Sequence, residues 1–418
     1  MKRFALGAAL LVMTALPSFA DTTVTYLNIS TGSDKDLMVA VAKEYEAAHP
    51  GIKIELPTLE NEAFKAKLTT LLQSSDAPDV FHSWGGGVFG EQAKAGVLRA
   101  VDSLITPEAK ASMGAAGVAA FTANDGHIYG LARDVSGVVM WYNKKLLAKA
   151  GVDPASMSNW TGFLDAVKKI KAAGITPLAL GGKDKWPAQF YYGSLITRMT
   201  GHQEFTDDAS GKASFNNPEI IKAGSMLLGL AALKPFQEGF QAATYNDAAG
   251  YFGDGKAAMH FMGDWDYNVA KDSSADKKGL PDEDMGIMPF PQVDGAKGDG
   301  ANATLGGVSG YLFGKKASDE AVKFLIWYNS AEVQKRFAAA GYYIPLAKGA
   351  AESLTNPFKI KVGQMVQASS WHELFFDQQL GPDVGGAFND LAIGLAAGEL
   401  TAEDAAKQLE AAAADHRN

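Results

Sequence analysis

Apolar and polar positions along this chain follow two alternating rhythms, one of period two and one of period near 3.6. Thr22-Thr23-Val24-Thr25-Tyr26-Leu27 is β-branched and aromatic, the make-up of a strand. Ser33-Asp34 then offers a helix cap, and Leu37, Met38, Val41, Ala42, Tyr45 and Ala48 follow at helical spacing. Pro50-Gly51 stops that helix, and Ile52 to Leu56 reads as a second strand. Strand, helix and strand in this order predict a βαβ unit, which packs into a parallel sheet by a right-handed crossover. The alternation continues with a helix from Asn61 to Gln73, a strand at Asp79-Val80-Phe81, and a strand from Val135 to Tyr142. A helix from Thr161 to Ala173 and a strand from Thr176 to Leu180 come next. Glu219–Leu233, Asp319–Asn329, Ala331–Ala340 and Thr401–Ala414 are helical by period, with Asn217-Pro218, Ser318, Ser330 and Thr401 where helix starts belong. The stretches from Asp272 to Asp284 and from Asp294 to Asn302 have no apolar period and read as loops. The whole pattern predicts an open α/β architecture. No Pro- or Ser-rich linker divides it, so two lobes would have to be joined by ordinary short crossings.

The first twenty residues form a separate unit. Lys2 and Arg3 precede an apolar run from Phe4 to Leu16, Pro17 breaks it, and Ser18-Phe19-Ala20 supplies a small-residue cleavage site. Cleavage after Ala20 would leave Asp21 at the mature terminus. The run is shorter than the roughly 20 residues a membrane-spanning helix needs. The chain has no cysteine, which excludes disulfides, thiolate catalysis and Cys-based metal sites. It also excludes a lipid-modified cysteine anchor, so the expected location is a periplasm, in soluble form. The export segment holds two of the 38 basic residues and none of the 47 acidic ones, leaving 36 against 47, a net charge of −11. An acidic chain without a basic run argues against nucleic acid and anionic membrane surfaces.

Known catalytic motifs are missing. There is no G-x-x-x-x-G-K-[ST], no H-E-x-x-H and no G-x-S-x-G, and the seven histidines are scattered. Nothing calls for a metal or a cofactor. Gly85-Gly86-Gly87 follows a strand but lacks phosphate-loop spacing, and reads as a tight strand-to-helix turn with close backbone approach. What is present is a set of tryptophans and carboxylates near strand ends. Trp84 and Trp265 lie in Gly-flanked loops, and Trp186 in Lys185-Trp186-Pro187. Flat indoles cover the C–H face of a pyranose, while its hydroxyls need planar partners such as Asp, Asn and Gln. A single Trp in a long chain is usually core. That explanation suits Trp141 and Trp327, and Trp160 suits a helix start. For Trp84, Trp186 and Trp265 we favour binding.

At these residues the chain resembles the sugar-binding proteins of ABC importers, the group that includes maltose-binding protein. The likeness runs in order through Asp79-Val80-Phe81-His82-Ser83-Trp84-Gly85-Gly86-Gly87, Gly130-Leu131-Ala132 with Trp141-Tyr142-Asn143-Lys144, Ala257-Ala258-Met259 to Gly263-Asp264-Trp265, and Leu305-Gly306-Gly307-Val308-Ser309-Gly310. Glu60-Asn61-Glu62-Ala63-Phe64-Lys65 and Phe376-Asp377-Gln378-Gln379-Leu380-Gly381-Pro382 are like members that handle α-galactosides or xylo-oligosaccharides. The first cleft loop, Asn28-Ile29-Ser30-Thr31-Gly32, departs from maltose-binding protein, and Asp377-Gln378 stands where that protein has an aromatic pair. Maltodextrin is therefore not the expected ligand.

The resemblance implies a two-lobe periplasmic-binding-protein fold, with residues 21–131 and 305–350 in one lobe and 132–304 and 351–418 in the other. Sugar would bind between the lobes, and closure would present it to the permease subunits of an ABC importer. The protein would be a monomer and not an enzyme. Carried over by position, Trp84 and Trp265 would stack on rings and Trp186 would form a wall. Asp134, Asp377, Asn61 and Gln189 would meet hydroxyls, and Ser30, Thr31, Gly306 and Gly307 would line the cleft near the crossings. Two rivals stay open: an exported glycoside hydrolase, which needs two carboxyls with split pKa values, and the same scaffold holding an acidic or non-sugar solute, for which Arg133 is the candidate partner. A structural or adhesive role is a third.

Overall fold

β-branched runs and short apolar runs become strands because their side chains fit a pleated, half-buried surface. The computed structural model describes residues 22–417, and the leader expected over residues 1–20 lies outside the described residues. Ten strands form one sheet: β1 (Thr22–Leu27), β2 (Ile52–Glu55), β3 (Val80–Ser83), β4 (Gly130–Asn143), β5 (Thr176–Ala179), β6 (Ala257–Gly263), β7 (Met285–Met288), β8 (Thr304–Phe313), β9 (Ile344–Pro345) and β10 (His372–Leu374). Their main order is β2-β1-β3-β8-β4-β6-β5. The βαβ unit read from the first strand forms as expected, with β1 parallel to β2 and the helix Gly32–Ala48 between them.

Two long strands join everything. The first half of β4 runs antiparallel to β8, from Gly130↔Leu312 to Gly137↔Gly306, and its second half runs antiparallel to β6, from Val138↔Gly263 to Tyr142↔Met259. The register between β4 and β8 slips between Ala132 and Asp134. Such a bulge bends a strand and re-aims its side chains.

Two apolar cores lie on either side of this junction. One draws on buried residues from Val24 to Ala132 and from Tyr311 to Tyr343. The other draws on Val138 to Leu305 and on Ile344, then Phe358 to Ala413. The apolar contacts thus change sides inside β4, inside β8 and around β9, where Ile344 joins the second core while Leu346 still packs against the first. At this third change β9 pairs with β4 at Asp134 and Val135. This is the two-lobe α/β architecture.

One long element escapes the periodicity analysis. Trp186–Ser210 is helical, with a break at Gly201 where φ is +70°. Every residue from Trp186 to Gly201 is buried, so no polar face marks the period. Among the described residues, no helix is long and apolar enough to cross a membrane.

Candidate functional site

A cleft of about 440 Å³ opens between the two cores. The first lobe contributes Ser30 and Thr31 after β1, Asn61 and Lys65 from the helix Asn61–Gln73, and Trp84 after β3. The second contributes Trp186 and Gln189 from the first turn of their helix, Trp265 after β6, and Asp377 from the helical turn Phe376–Gln379. Asp134 comes from the bulge of β4, at the join.

Local chemistry holds each aromatic in place. Trp84 precedes Gly85 and Gly86, whose φ values of +73° and +68° turn the chain sharply into the helix Gly86–Lys94. Its ring meets His82 and Phe64 edge-on, at 4.6 and 5.9 Å, and packs against both cores. Trp265 lies flat against its own strand: a Cβ on Gly263 would stand 2.1 Å from the indole, so only glycine fits beneath it. Phe190 and Phe375 meet it edge-on. The loop before it is fixed by a buried ion pair. Lys359 donates to the Asp264 carboxylate at 2.7 Å and to its carbonyl at 2.9 Å, and the other carboxylate oxygen accepts from the Gly137 N–H. Trp186 is buried against Phe190 and Tyr245. Tyr245 in turn donates to Asp266, whose second oxygen bonds the His260 Nδ1 at 2.8 Å.

The charged groups come as pairs. Arg133 donates to one oxygen of Asp134 through Nε at 3.1 Å, with Nη2 2.9 Å from the same oxygen and the guanidinium 4.9 Å from the Tyr343 ring centre. Burial pushes the Asp134 carboxyl above its ordinary range and the charge of Asp264 adds to this, against the pull of Arg133. Lys65 donates to Asp377 at 2.9 Å across the two lobes. Burial alone would raise Asp377 as well. The Lys65 ammonium and hydrogen bonds from Gln189 and Gln378 outweigh it and hold that carboxyl below its usual value. His82 is pushed well below the imidazole range by burial and by Arg133, so it is neutral at pH 7.

Four buried polar atoms on residues of this wall find no hydrogen-bond partner among the described residues: Asp134 Oδ1, Trp186 Nε1, Tyr343 Oη and His82 Nε2. Each such group costs about 1–3 kcal/mol if left unpaired. An acceptor, a donor and a hydroxyl beside three indoles suit a solute that is apolar on its faces and rich in hydroxyls on its rim.

Of the eleven residues selected from sequence, the structure brings Trp84, Trp265, Trp186, Asp134, Asp377, Asn61, Gln189, Ser30 and Thr31 to this wall. It does not bring Gly306 and Gly307. Both lie inside β8, where a Cβ on Gly306 would stand 2.0 Å from the Ser136 carbonyl and one on Gly307 2.6 Å from Leu374. They permit close packing of β4, β8 and β10 at the crossing. Sequence reasoning passed over Asp34, Lys65, His82, Tyr245, Tyr343 and Phe375. Only Lys65 left a local signal, being one helical turn after Asn61.

Two lobes joined by crossing strands thus leave a polar and aromatic cleft between them. The chain belongs to the bacterial extracellular solute-binding protein family, whose model matches residues 30–335. It is 27% identical to an uncharacterised ABC transporter extracellular-binding protein of Pyrococcus horikoshii over 63% of this chain. That match spans only 59% of the relative's length. It is 25% identical to the multiple sugar-binding protein of Streptococcus mutans, covering 81% of this chain and 78% of that one. A structure solved in work on xylan utilization by the thermophilic bacterium Caldanaerobius polysaccharolyticus superposes with a TM-score of 0.87 at 28% identity, covering 93% of this chain and 99% of the other.

Proposed function

We propose that this chain is the sugar receptor of an ABC importer, exported behind a leader cleaved after Ala20 and working as a soluble periplasmic monomer. It captures a mono- or oligosaccharide by lobe closure and hands the closed, loaded form to the permease subunits. The observation that carries this reading is the cleft itself: three indoles line one gap between two cores, and four residues of its wall carry a buried polar atom without a partner among the described residues. The names and subjects of the relatives support it, since sugar binding recurs among them and one solved structure comes from work on xylan utilization.

In this reading Trp265 is the main stacking platform, because its indole rests on Gly263 and lines the cleft. Trp84 stacks at its flank, where the Lys65 ammonium already stands 5.5 Å from the ring centre. Trp186 closes the second lobe's wall and donates through its free Nε1. Asp134 accepts a hydroxyl at its unpaired oxygen. Asp377, Asn61 and Gln189 bind hydroxyls at the Lys65 end, with Ser30 and Thr31 at the opposite lip. Ligand contacts to both lobes favour the closed form, so binding shifts the population toward it.

The test is a thermal-shift screen of the mature protein against neutral mono- and oligosaccharides, since a ligand bound only by the folded state raises Tm. A rise with at least one sugar is expected. No rise with any sugar overturns the reading. Hydrolysis is a second reading, since two carboxylates, Asp134 and Asp377, line the same cleft. Sustained turnover of aryl glycosides or oligosaccharides would establish it, and intact sugar after prolonged incubation would dismiss it.

A further inference from the structure

The cleft wall is strongly unbalanced in charge. Six carboxylates line it, those of Asp34, Glu60, Asp134, Asp264, Asp272 and Asp377, against the two cations Lys65 and Arg133. Neither cation is free. Arg133 spends Nε and Nη2 on Asp134 and is held over the rings of Tyr343 and Tyr311, at 4.9 and 5.7 Å. Lys65 is committed to Asp377 at 2.9 Å, with Glu62 at 3.5 Å beside it. The third nearby cation, Lys359, is fully buried on Asp264. A ligand carboxylate entering this space would therefore find no unpaired donor cation. It would meet the second oxygen of Asp134, which is 5% exposed and has no partner among the described residues, and the carboxylates of Asp34 and Asp272 at the lip. A low-dielectric cleft amplifies such like-charge contacts.

We propose that the cleft is a charge filter: it accepts uncharged and ammonium-bearing glycans and rejects uronates of the same skeleton. This rests on the sugar-receptor reading above and narrows its substrate class. It also reverses the role that the sequence left open for Arg133, which serves Asp134 and not an acidic sugar. Specificity of this kind is built by repulsion as much as by attraction. A hydroxyl or an ammonium can donate to Asp134 Oδ1. A carboxylate can only accept, and would leave that oxygen buried and unpaired while adding a like charge beside it.

The test is calorimetry of the mature protein with matched triplets: galactose, galactosamine and galacturonate; glucose, glucosamine and glucuronate; and the β-1,4-linked disaccharides of each. For the skeleton whose neutral member binds, the uronate is expected to bind at least about tenfold more weakly, the order of one unmatched like charge in a partly screened cleft. The amino member should bind at least as well as the neutral one. In Asp34→Asn combined with Asp272→Asn, the ratio of neutral-sugar to uronate affinity should shrink several-fold. Equal or tighter binding of the uronate by the parent overturns the charge filter and leaves the sugar-receptor reading standing. So does a penalty that both substitutions leave unchanged. Failure of every triplet to bind, in a protein that also gives no thermal shift with any sugar, overturns both.

Discussion

Asp134 and Asp377 show how one residue type takes opposite characters within one cleft. Asp134 sits in a strand bulge, shares one oxygen with Arg133 and keeps the other unpaired, and burial raises its pKa. Asp377 is reached from the other lobe by Lys65, which more than offsets its burial and lowers its pKa. A depressed carboxylate stabilises above its unfolded pKa, near about 4, and that contribution disappears as pH falls through the folded value. The Lys65–Asp377 pair should therefore hold the lobes together at neutral pH and weaken only in acid. Asp377→Asn is expected to lower Tm at pH 7, with the gap to the parent closing as pH drops below about 4. Thermal melts at stepped pH check it, and a gap independent of pH contradicts it. At this scale the sequence was most informative where chain turns were sharp. Trp84 and Trp265 stood out because glycine flanks them, and the structure gives that glycine a reason in the indole lying on Gly263. Lys65 and Asp377 are 312 residues apart, and no local pattern could have joined them.

The elements that meet at the cleft do so with little slack. The helix Gly86–Lys94 abuts the segment Phe376–Gly381 of the other lobe so closely that a Cβ on Gly87 would stand 2.6 Å from the Gln379 carbonyl and 2.8 Å from the Gly381 nitrogen. Gly87→Ala is expected to push these elements apart and weaken sugar affinity by about fivefold or more, because closure then costs a steric shift of about 1–3 kcal/mol. Calorimetry checks this, and unchanged affinity contradicts it. Strand β10 carries a second strain. Glu373 is 5% exposed, and burial pushes its carboxyl up to about 8. An unfolded chain loses that proton near about 4, so stability should fall as pH rises from there toward about 8. Glu373→Gln is expected to raise Tm at pH 7–8, by on the order of 2 kcal/mol in stability, with no gain below about pH 4. Urea melts at pH 4 and pH 8 separate the outcomes. Elements with one wet face were legible in the sequence, as with Asn61–Gln73, which forms over the expected residues. Trp186–Ser210 was not, because its first sixteen residues are buried all round and show no polar stripe. Gly306-Gly307 lies at a strand crossing, as the resemblance implied, but the tight packing of β8 there, which no local pattern shows, keeps both off the cleft wall.

At the level of the whole molecule, the sheet provides both connection and freedom. Strands β4 and β8 pass from one apolar core to the other, so the lobes share backbone hydrogen bonds at the junction but not their interiors. Motion is therefore expected at the crossings and at the cleft contacts, with each core moving as a unit. The α/β rhythm and the family resemblance made this architecture readable from the sequence. The points where contacts change sides were less readable, because β9 adds only two residues to the sheet. The account comes down to a solute held between two halves on an indole that rests against glycine. The most direct measurement is a calorimetric titration of mature protein and of Trp265→Ala with the sugar that gives the largest thermal shift. The account predicts one site per chain in the parent and a loss of about 2 kcal/mol, roughly thirtyfold in Kd, in the variant. Identical affinity in parent and variant would contradict it.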